Sequence, residues 1–580
     1  MKVTASQILS LSQYLPNKQS DFGRYLLPSI LLCRLDELLK ETKVRILDAL
    51  ASFEDGTPVI AKSRAFQKIS GRNFYNVSRL DLASCLSDPS NLKANLNLYI
   101  QGFDDDTRDV FEKFSFQIHL DSLDEENTLY IFFKELLKVD LSLKQLSNQE
   151  MAKLYEEMIR QFAELSNETA GKRFTPRDVI ALMVELIFSS DTNRMNSGSL
   201  VRTCFDPACG TGGMLNLSEE YFSKFPSCNL IVHGEEMDKE TYAICKALRI
   251  IGGLDSTQIK RGDSFSEDFF SGQKFDYIFS NPPFGESWKY SKDFVINESQ
   301  RLGHAGRFGA GYPEVGDGIF LFIQHILSKF KSKESGGSRA ALITNGSPLF
   351  SAASNSEPII RKHLLENDYV EAIIRLPSEM FYSTPIETYI WILNNNKVRE
   401  RIGKVQLINA INIYTDLKKN IGKKNKVLLD SNIKKIIQGY LDFSNSSTSK
   451  IFDSKEFGYT SITIERPMRD NSGNIIYFTK GKNKGRPQPD SDKRDFENVP
   501  LTEVVEEYFK REVLPHIADA WIDESKSKVG YEIPFTRHFY ESKTVRSIKK
   551  INDDIECLLE EIVGIYANNK VDLKKVMRGF

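Results

Sequence analysis

Asn281, Pro282, Pro283 and Phe284 close the stretch FDYIFSNPPF, and their types suit one task, the holding of an exocyclic amino group. Asn281 supplies a side-chain carbonyl oxygen. Each proline removes a backbone donor, and the residue before a proline is kept out of helical geometry, so the corner presents mostly acceptors. Two acceptors can take both protons of an NH2 group. Phe284 adds a flat face for a planar ring, a contact worth roughly 1–3 kcal/mol for a nucleobase. Taken alone, NPP is equally a proline turn after a core strand.

The elements around it must position that corner. Residues 200–205 read as a strand running into DPACGTGGML, which opens a helix to about Lys224. A strand, a tight glycine loop and a helix N-terminus bring backbone amides close to a polar ligand. Gly210, Gly212 and Gly213 do not follow the dinucleotide fingerprint. A second strand over 230–234 ends at Glu235 and Glu236, where a doubly wound nucleotide site sets its ribose-binding carboxylate. A helix over 239–251, a third strand over 258–261 ending at Gly262 and Asp263, and the strand ending in NPPF follow. In open α/β sheets ligands bind at the carboxyl ends of the strands, so all four ends should line one crevice. Ahead of them Thr175 reads as a helix cap, with Pro176 in the first helical position and Asp178 at the positive end of the helix.

The chain has 580 residues and a formal net charge of -2. That length allows about three domains. A protein that grips DNA unaided carries a basic excess, so any nucleic acid here must be held by a local patch or by a partner. Seven scattered cysteines form no C-x-x-C pair, which argues against a disulfide framework and a zinc site and leaves no metal expected. Cys204 and Cys209 read as buried thiols. With no basic-then-apolar leader and no run of about 18 apolar residues, the expected location is the cytoplasm, with no membrane contact.

Residues 1–150 read as helical; Leu26, Leu27, Ile30, Leu31, Leu35, Leu38 and Leu39 mark a helix with one buried face. Asp104, Asp105 and Asp106 read as a solvated turn. Residues 301–318 are glycine-rich and expected to be mobile, either a lid or a surface loop. A helix over 319–331, a strand over 339–344, a helix over 357–366 and strands near 369–376 and 388–394 complete the sheet at about Asn394. Residues 418–426 and 480–494 are basic and read as exposed loops, more commonly solvated linkers than contacts to phosphate. Ile548, Ile551, Ile555, Leu558, Ile562 and Ile565 step by three and four, a seam for packing on the chain itself or on a partner.

With these motifs in view the chain resembles the HsdM-type modification subunit of type I restriction-modification systems, the N6-adenine DNA methyltransferases. The resemblance covers nearly the whole chain, including NETAGKRFTPRDVI, DPACGTGGML, GEEMDKETYA, GDSF, NPPFG, ITNGSPLF and KVGYEIPFTRHFY. It implies an α/β fold: a helical N-terminal domain over 1–150, a Rossmann-like S-adenosylmethionine-dependent methyltransferase domain over 151–400, a mixed extension with exposed basic loops over 401–535, and a helical partner-docking region over 536–580. The implied cofactor is S-adenosylmethionine, held by Lys172, Arg173, Phe174, Thr175, Pro176 and Arg177 and by the loop Asp206, Ala208, Gly210, Thr211, Gly212 and Gly213. Glu236, with Met237, looks like the ribose ligand, and Asp263, with Ser264, like the contact to the cofactor's adenine. Asn281, Pro282, Pro283 and Phe284 resemble the catalytic motif. The motif order is similar to the gamma class of amino-methyltransferases; STPIET at 383–388 departs from the family's glycine-containing segment.

The implied function is site-specific adenine-N6 methylation of flipped-out bases, protecting host DNA. The implied partners are a specificity subunit, a restriction/translocase subunit, and double-stranded DNA bound mainly through the complex. Cytosine N4 or a glutamine amide as the acceptor, a non-catalytic scaffold bridging specificity and nuclease subunits, and a stand-alone methyltransferase reading DNA through residues 395–580 stay open.

Overall fold

The computed structural model describes residues 3–16, 22–165, 174–350, 356–481, 483–540 and 547–569. Runs such as Ala340 to Ile343 and Ile390 to Leu393 have no polar side, and such strands are stable only with both faces covered. They lie in the middle of a nine-stranded sheet. Its strands are β1 Leu200–Asp206, β2 Cys228–Glu236, β3 Ile259–Arg261, β4 Tyr277–Ser280, β5 Arg339–Thr344, β6 Val370–Arg375, β7 Tyr389–Asn394, β8 Lys404–Asn409 and, after the hairpin of β9 Thr415–Ile421 and β10 Lys424–Val427, β11 Ser449–Asp453. The spatial order is β11-β8-β6-β7-β5-β4-β1-β2-β3. Strands β3, β2, β1, β4 and β5 run parallel, and β7 is inserted antiparallel between β5 and β6. The chain leaves β1 towards β2 on one side and returns to β4 on the other, so the sheet reverses its order between β1 and β4.

The sheet does not end at Asn394 as the alternation suggests. It continues through β8 and β11, because the helix Asp430–Asp442 between them lays Ile433, Ile436, Ile437 and Tyr440 into the same core as Phe188 and Phe279. The boundary expected at residue 400 therefore falls inside the sheet. The remainder of the extension adds a four-stranded sheet built on β12 Gly458–Glu465, with a small core of Ile462, Ile464, Val499, Phe509 and Val513.

Residues 22–165 are helical, with two corrections. The helix Phe22–Leu39 is buried all round from Tyr25 to Leu35 rather than along one face, including Arg34, whose guanidinium bonds to the Leu146 carbonyl at 3.1 Å and to Asn148 Oδ1 at 2.9 Å. Nor are Asp104–Asp106 a solvated turn. Asp104 is buried and caps the helix Asp105–Lys113 by accepting from Thr107 N, and Asp106 meets the buried Lys246 ammonium. The cause is tertiary: the N-terminal core also contains Ala243, Ala247, Leu248 and Ile251 of the helix Lys239–Gly252, so the helical region is welded to the layer that covers the sheet.

The chain divides into two compact units, Met1–Pro534 and Phe535–Phe580. The second carries the helix Ile548–Asn569, along which Ile548, Ile551, Ile555, Leu558 and Ile562 recur. Among the described residues no helix is long and apolar enough to cross a membrane.

Candidate active site

The carboxyl ends of four strands meet in register: Phe205 lies beside Ile278, Asp206 beside Gly234, and Glu236 beside Arg261. The loops leaving them line a cavity of about 600 Å³, within the range of small-molecule and cofactor sites.

The glycine loop is shaped by close approach. Gly210 and Gly212 adopt φ of 56° and 81°, and a Cβ on Gly212 would lie 2.7 Å from Cys245 Sγ on the helix Lys239–Gly252. Only glycine meets both demands at residue 212. The loop is tied to the end of β2: Cys209 N donates to the Glu235 carbonyl at 2.9 Å and Gly210 N to Glu236 Oε2 at 3.0 Å. Asp238 N donates to Glu236 Oε1 at 2.8 Å, so two backbone amides fix this carboxylate at the cavity wall. Asp206 is 2% exposed, and burial pushes its carboxyl up to about 7 even though it accepts from Ala208 N at 3.0 Å. Asp263 accepts from Phe265 N at 3.0 Å and from Ser266 Oγ at 3.1 Å, and Ser291 Oγ donates to the same carboxylate.

At the end of β4, Asn281 Nδ2 donates to Thr175 Oγ1 at 2.8 Å. Asn281 Oδ1 is buried and has no hydrogen-bond partner among the described residues. A buried acceptor left empty costs about 1–3 kcal/mol, so this oxygen is primed for a donor. The Thr175 hydroxyl does not cap a helix: the cap position of Arg177–Phe188 is Pro176, and Thr175 turns to Asn281 instead. Asp178 in the first turn accepts from Lys424 Nζ at 3.0 Å and Leu428 N at 2.8 Å.

Of the residues singled out in the sequence, Phe174, Thr175, Arg177, Asp206, Ala208, Gly210, Thr211, Gly213, Glu236, Met237, Asp263, Ser264, Asn281, Pro282, Pro283 and Phe284 line the one cavity. Pro176 and Gly212 do not reach its wall, and Lys172 and Arg173 lie outside the described residues. Sequence reading missed Trp288 and Tyr290 after the NPPF corner, and Phe381, Ser383, Thr384 and Ile386 between β6 and β7. The STPIET segment that departs from the expected pattern is thus part of the wall.

Residues 301–318 are anchored rather than mobile. Arg307 donates to both Glu298 oxygens, to the Ser264 carbonyl at 2.6 Å and to the Phe265 carbonyl at 2.7 Å. Phe308 is buried with Phe265, Trp288, Val295 and Leu321. The glycines supplied tight turns, and one arginine with one aromatic side chain pinned them.

Charge restricts what the cavity takes. Six acidic side chains line it, those of Glu156, Asp206, Glu236, Asp238, Asp263 and Glu286, of which buried Asp206 keeps its proton below about pH 7, against one described cation, Arg177, which is paired with Glu156 and Glu220. That wall suits a cationic ligand and repels a pyrophosphate. Behind it lie Glu235, Asp268 and His325, with ligand atoms within 4.8 Å of one another. Lys329 Nζ occupies Asp268 at 2.6 Å, and Arg307 Nη1 lies 3.2 Å from His325 Nδ1. A guanidinium only donates, so Nδ1 accepts and the ring proton sits on Nε2, which cannot then coordinate a cation. Glu235 Oε2 and His325 Nε2 are buried with no hydrogen-bond partner among the described residues, Asp268 is partly buried against Lys329, and burial pushes the Glu235 carboxyl up to about 7.

Two family models match the chain. The family model described as N-6 DNA Methylase matches residues 146–464, and the HsdM N-terminal domain model matches residues 11–136. The chain is 28% identical over 363 residues to the Type I restriction enzyme MjaIX methylase subunit of Methanocaldococcus jannaschii, a match spanning 62% of this chain and 60% of that relative. It is 28% identical over 385 residues to the HindI methylase subunit of Haemophilus influenzae, covering 65% and 78% of the two chains. The methyltransferase subunit of the Streptococcus thermophilus type I restriction-modification system shares the fold with TM-score 0.60 at 20% identity, over 78% of this chain and 96% of that one. A modification subunit of a putative type I restriction enzyme from Vibrio vulnificus does so with TM-score 0.52 at 20% identity, over 82% and 96%.

Proposed function

The chain belongs to the N-6 DNA methylase family, and on that premise we propose that it methylates N6 of adenine in DNA, with S-adenosylmethionine as donor, as the modification subunit of a type I restriction-modification complex. The observation that carries the reading is the empty, buried Asn281 Oδ1 beside an acidic cavity at the strand ends. The acid-lined wall fits the cofactor, whose sulfonium supplies an electrophilic methyl group. Asp206, the loop from Ala208 to Gly213, and Phe174 to Arg177 would hold it, with Glu236 and Met237 at the ribose and Asp263 and Ser264 at its adenine; Lys172 and Arg173 belong to the same set.

The target adenine must leave the duplex, because its amino nitrogen is otherwise paired and stacked. Asn281 Oδ1 and the Pro282 carbonyl would each accept a hydrogen bond from the amino group and draw its nitrogen lone pair out of conjugation and towards the methyl group the cofactor supplies; the C–S bond would break as the N–C bond forms, and one amino proton would leave to solvent. Pro283 keeps the corner rigid, and Phe284 stacks on the base. The acceptors stand ready before reaction, so the rate gain comes from positioning and from dipoles that need not reorganise. The acceptor base is adenine rather than cytosine, the helix Ile548–Asn569 docks a specificity or restriction subunit, the complex supplies most DNA contact, and the working compartment is the cytoplasm.

The test is Asn281→Ala in the chain assembled with its specificity partner. Calorimetry should show S-adenosylmethionine bound as in the wild type, and nucleoside mass spectrometry should show N6-methyladenine lost. Full methylation by the variant would remove Asn281 from the chemistry. N4-methylcytosine from the wild type would change the base, and absence of cofactor binding would leave the scaffold reading. Tight sequence-selective DNA binding by the chain alone would favour a self-contained enzyme.

A further inference from the structure

The basic stretch 418–426 is not a loose loop. It folds as the antiparallel hairpin of β9 and β10, joined at Gly422 and Lys423. The hairpin is seated on the segment between β6 and β7 that walls the cavity. Lys423 N donates to the Tyr382 carbonyl at 2.9 Å and Asn425 N to the Glu379 carbonyl at 3.1 Å. Lys424 Nζ, buried, reaches Asp178 at 3.0 Å and the Met380 carbonyl at 3.0 Å. Gly422 has φ of 59°, and a Cβ there would lie 2.6 Å from the Tyr382 oxygen, so the tip fits only as glycine. The path to the chemistry is short. Asn281 bonds Thr175, the neighbouring Phe174 ring lies 6.0 Å from Tyr382, and Tyr382 receives the hairpin.

The five lysines of the stretch divide by partner. Lys424 serves Asp178, and Lys426 lies 3.8 Å from Glu379 and over the Tyr414 ring. Lys418, Lys419 and Lys423 are exposed and have no ion pair or side-chain hydrogen bond among the described residues. Adjacent residues of a strand face opposite ways, so Lys418 and Lys419 place charge on both faces of the hairpin. A rigid arm with three unpaired cations is thus fastened to the cavity wall, in a chain whose net charge is -2.

We propose that this hairpin is a phosphate clamp, in which Lys418, Lys419 and Lys423 hold the DNA backbone beside the extruded nucleotide. The inference rests on the DNA-methylating reading above and adds the surface by which this subunit touches the duplex. Backbone contact by lysine is independent of sequence, so the clamp supplies affinity and register while base selection lies elsewhere.

The experiment compares the wild-type complex with specificity partner against the triple variant Lys418→Gln, Lys419→Gln, Lys423→Gln and a control, Lys480→Gln with Lys484→Gln from the second basic stretch. DNA affinity is measured from low to moderate salt by fluorescence anisotropy. Each lost phosphate contact removes about 0.9 from the slope of log K against log salt, so the triple variant should lose about 2–3 while the control loses less than about 1. S-adenosylmethionine affinity should not change. An unchanged slope overturns the proposal, as does an equal loss in the control, which would make the effect one of overall charge. A triple variant that no longer co-purifies with the specificity partner would make the hairpin a protein-docking surface, and also overturns it. The slope is readable whether or not methyl transfer occurs, so it is judged separately from the catalytic reading.

Discussion

The Asn281 amide nitrogen donates to Thr175 Oγ1 at 2.8 Å, and this bond leaves the other end of the amide, the buried Oδ1, as the empty acceptor. The threonine hydroxyl thus sets which end of the Asn281 amide is left open at the cavity that both residues line.

Removing that hydroxyl should therefore impair transfer more than it weakens cofactor binding, to which the Phe174–Arg177 segment also contributes in the proposed reading. Thr175→Val is expected to lower the single-turnover methylation rate about 10–100-fold, the equivalent of one lost hydrogen bond of about 1–3 kcal/mol. Thr175→Ser should stay close to wild type. Equal losses in both variants, or a matching rise in the calorimetric cofactor Kd, would count against an orienting role.

Asp206 makes stability depend on pH. Its folded-state carboxyl titrates at about 7 against an ordinary 3.8. The native state thus holds a proton that the unfolded chain has released, and the stabilisation is complete below about pH 4 and lost by about pH 7. The upper bound is about 4 kcal/mol, three pKa units at about 1.4 kcal/mol each. Asp206→Asn should melt progressively higher than wild type as pH rises from 5 to 8. Parallel melting profiles would show that Asp206 is not held protonated. Glu235, also raised to about 7 by burial, acts in the same direction and leaves part of the slope in the variant.

Gly212→Ala should lower stability by about 1–3 kcal/mol through its left-handed φ and the 2.7 Å approach to Cys245 Sγ. Adding Cys245→Ala removes the clash but not the backbone strain. The double variant should recover part of the lost melting temperature and part of the cofactor affinity. No recovery would assign the whole effect to the backbone.

Arg307 anchors residues 301–318 to the Ser264 and Phe265 carbonyls at the cavity edge. Arg307→Gln should expose that segment to limited proteolysis and weaken S-adenosylmethionine binding about 10-fold in calorimetry. Unchanged proteolysis would mean that the Phe308 cluster suffices to hold the segment.

Much of this site was legible because it is local. Asp206 after a strand, Glu236 after the next, Asp263 after the third and Asn281 after the fourth are read along the chain, and the rule that ligands gather at strand carboxyl ends brings them together. The misreadings were non-local. Thr175 resembled a cap because nothing nearby in sequence competes for its hydroxyl; Asn281, 106 residues away, takes it. Lys424 resembled a solvated lysine until Asp178, 246 residues distant, paired with it.

What the chain by itself determined was the sheet's strands β1 to β7, their turn chemistry and the residue types at their ends, since periodicity, proline and glycine act over a few positions. Only the tertiary structure decided which polar atoms are satisfied and which are left open: the bonded amide nitrogen and empty oxygen of Asn281, the paired Lys424 and the unpaired Lys423 next to it. The reason is physical, because a hydrogen bond or ion pair depends on proximity in space, and burial alone makes leaving one unmade costly.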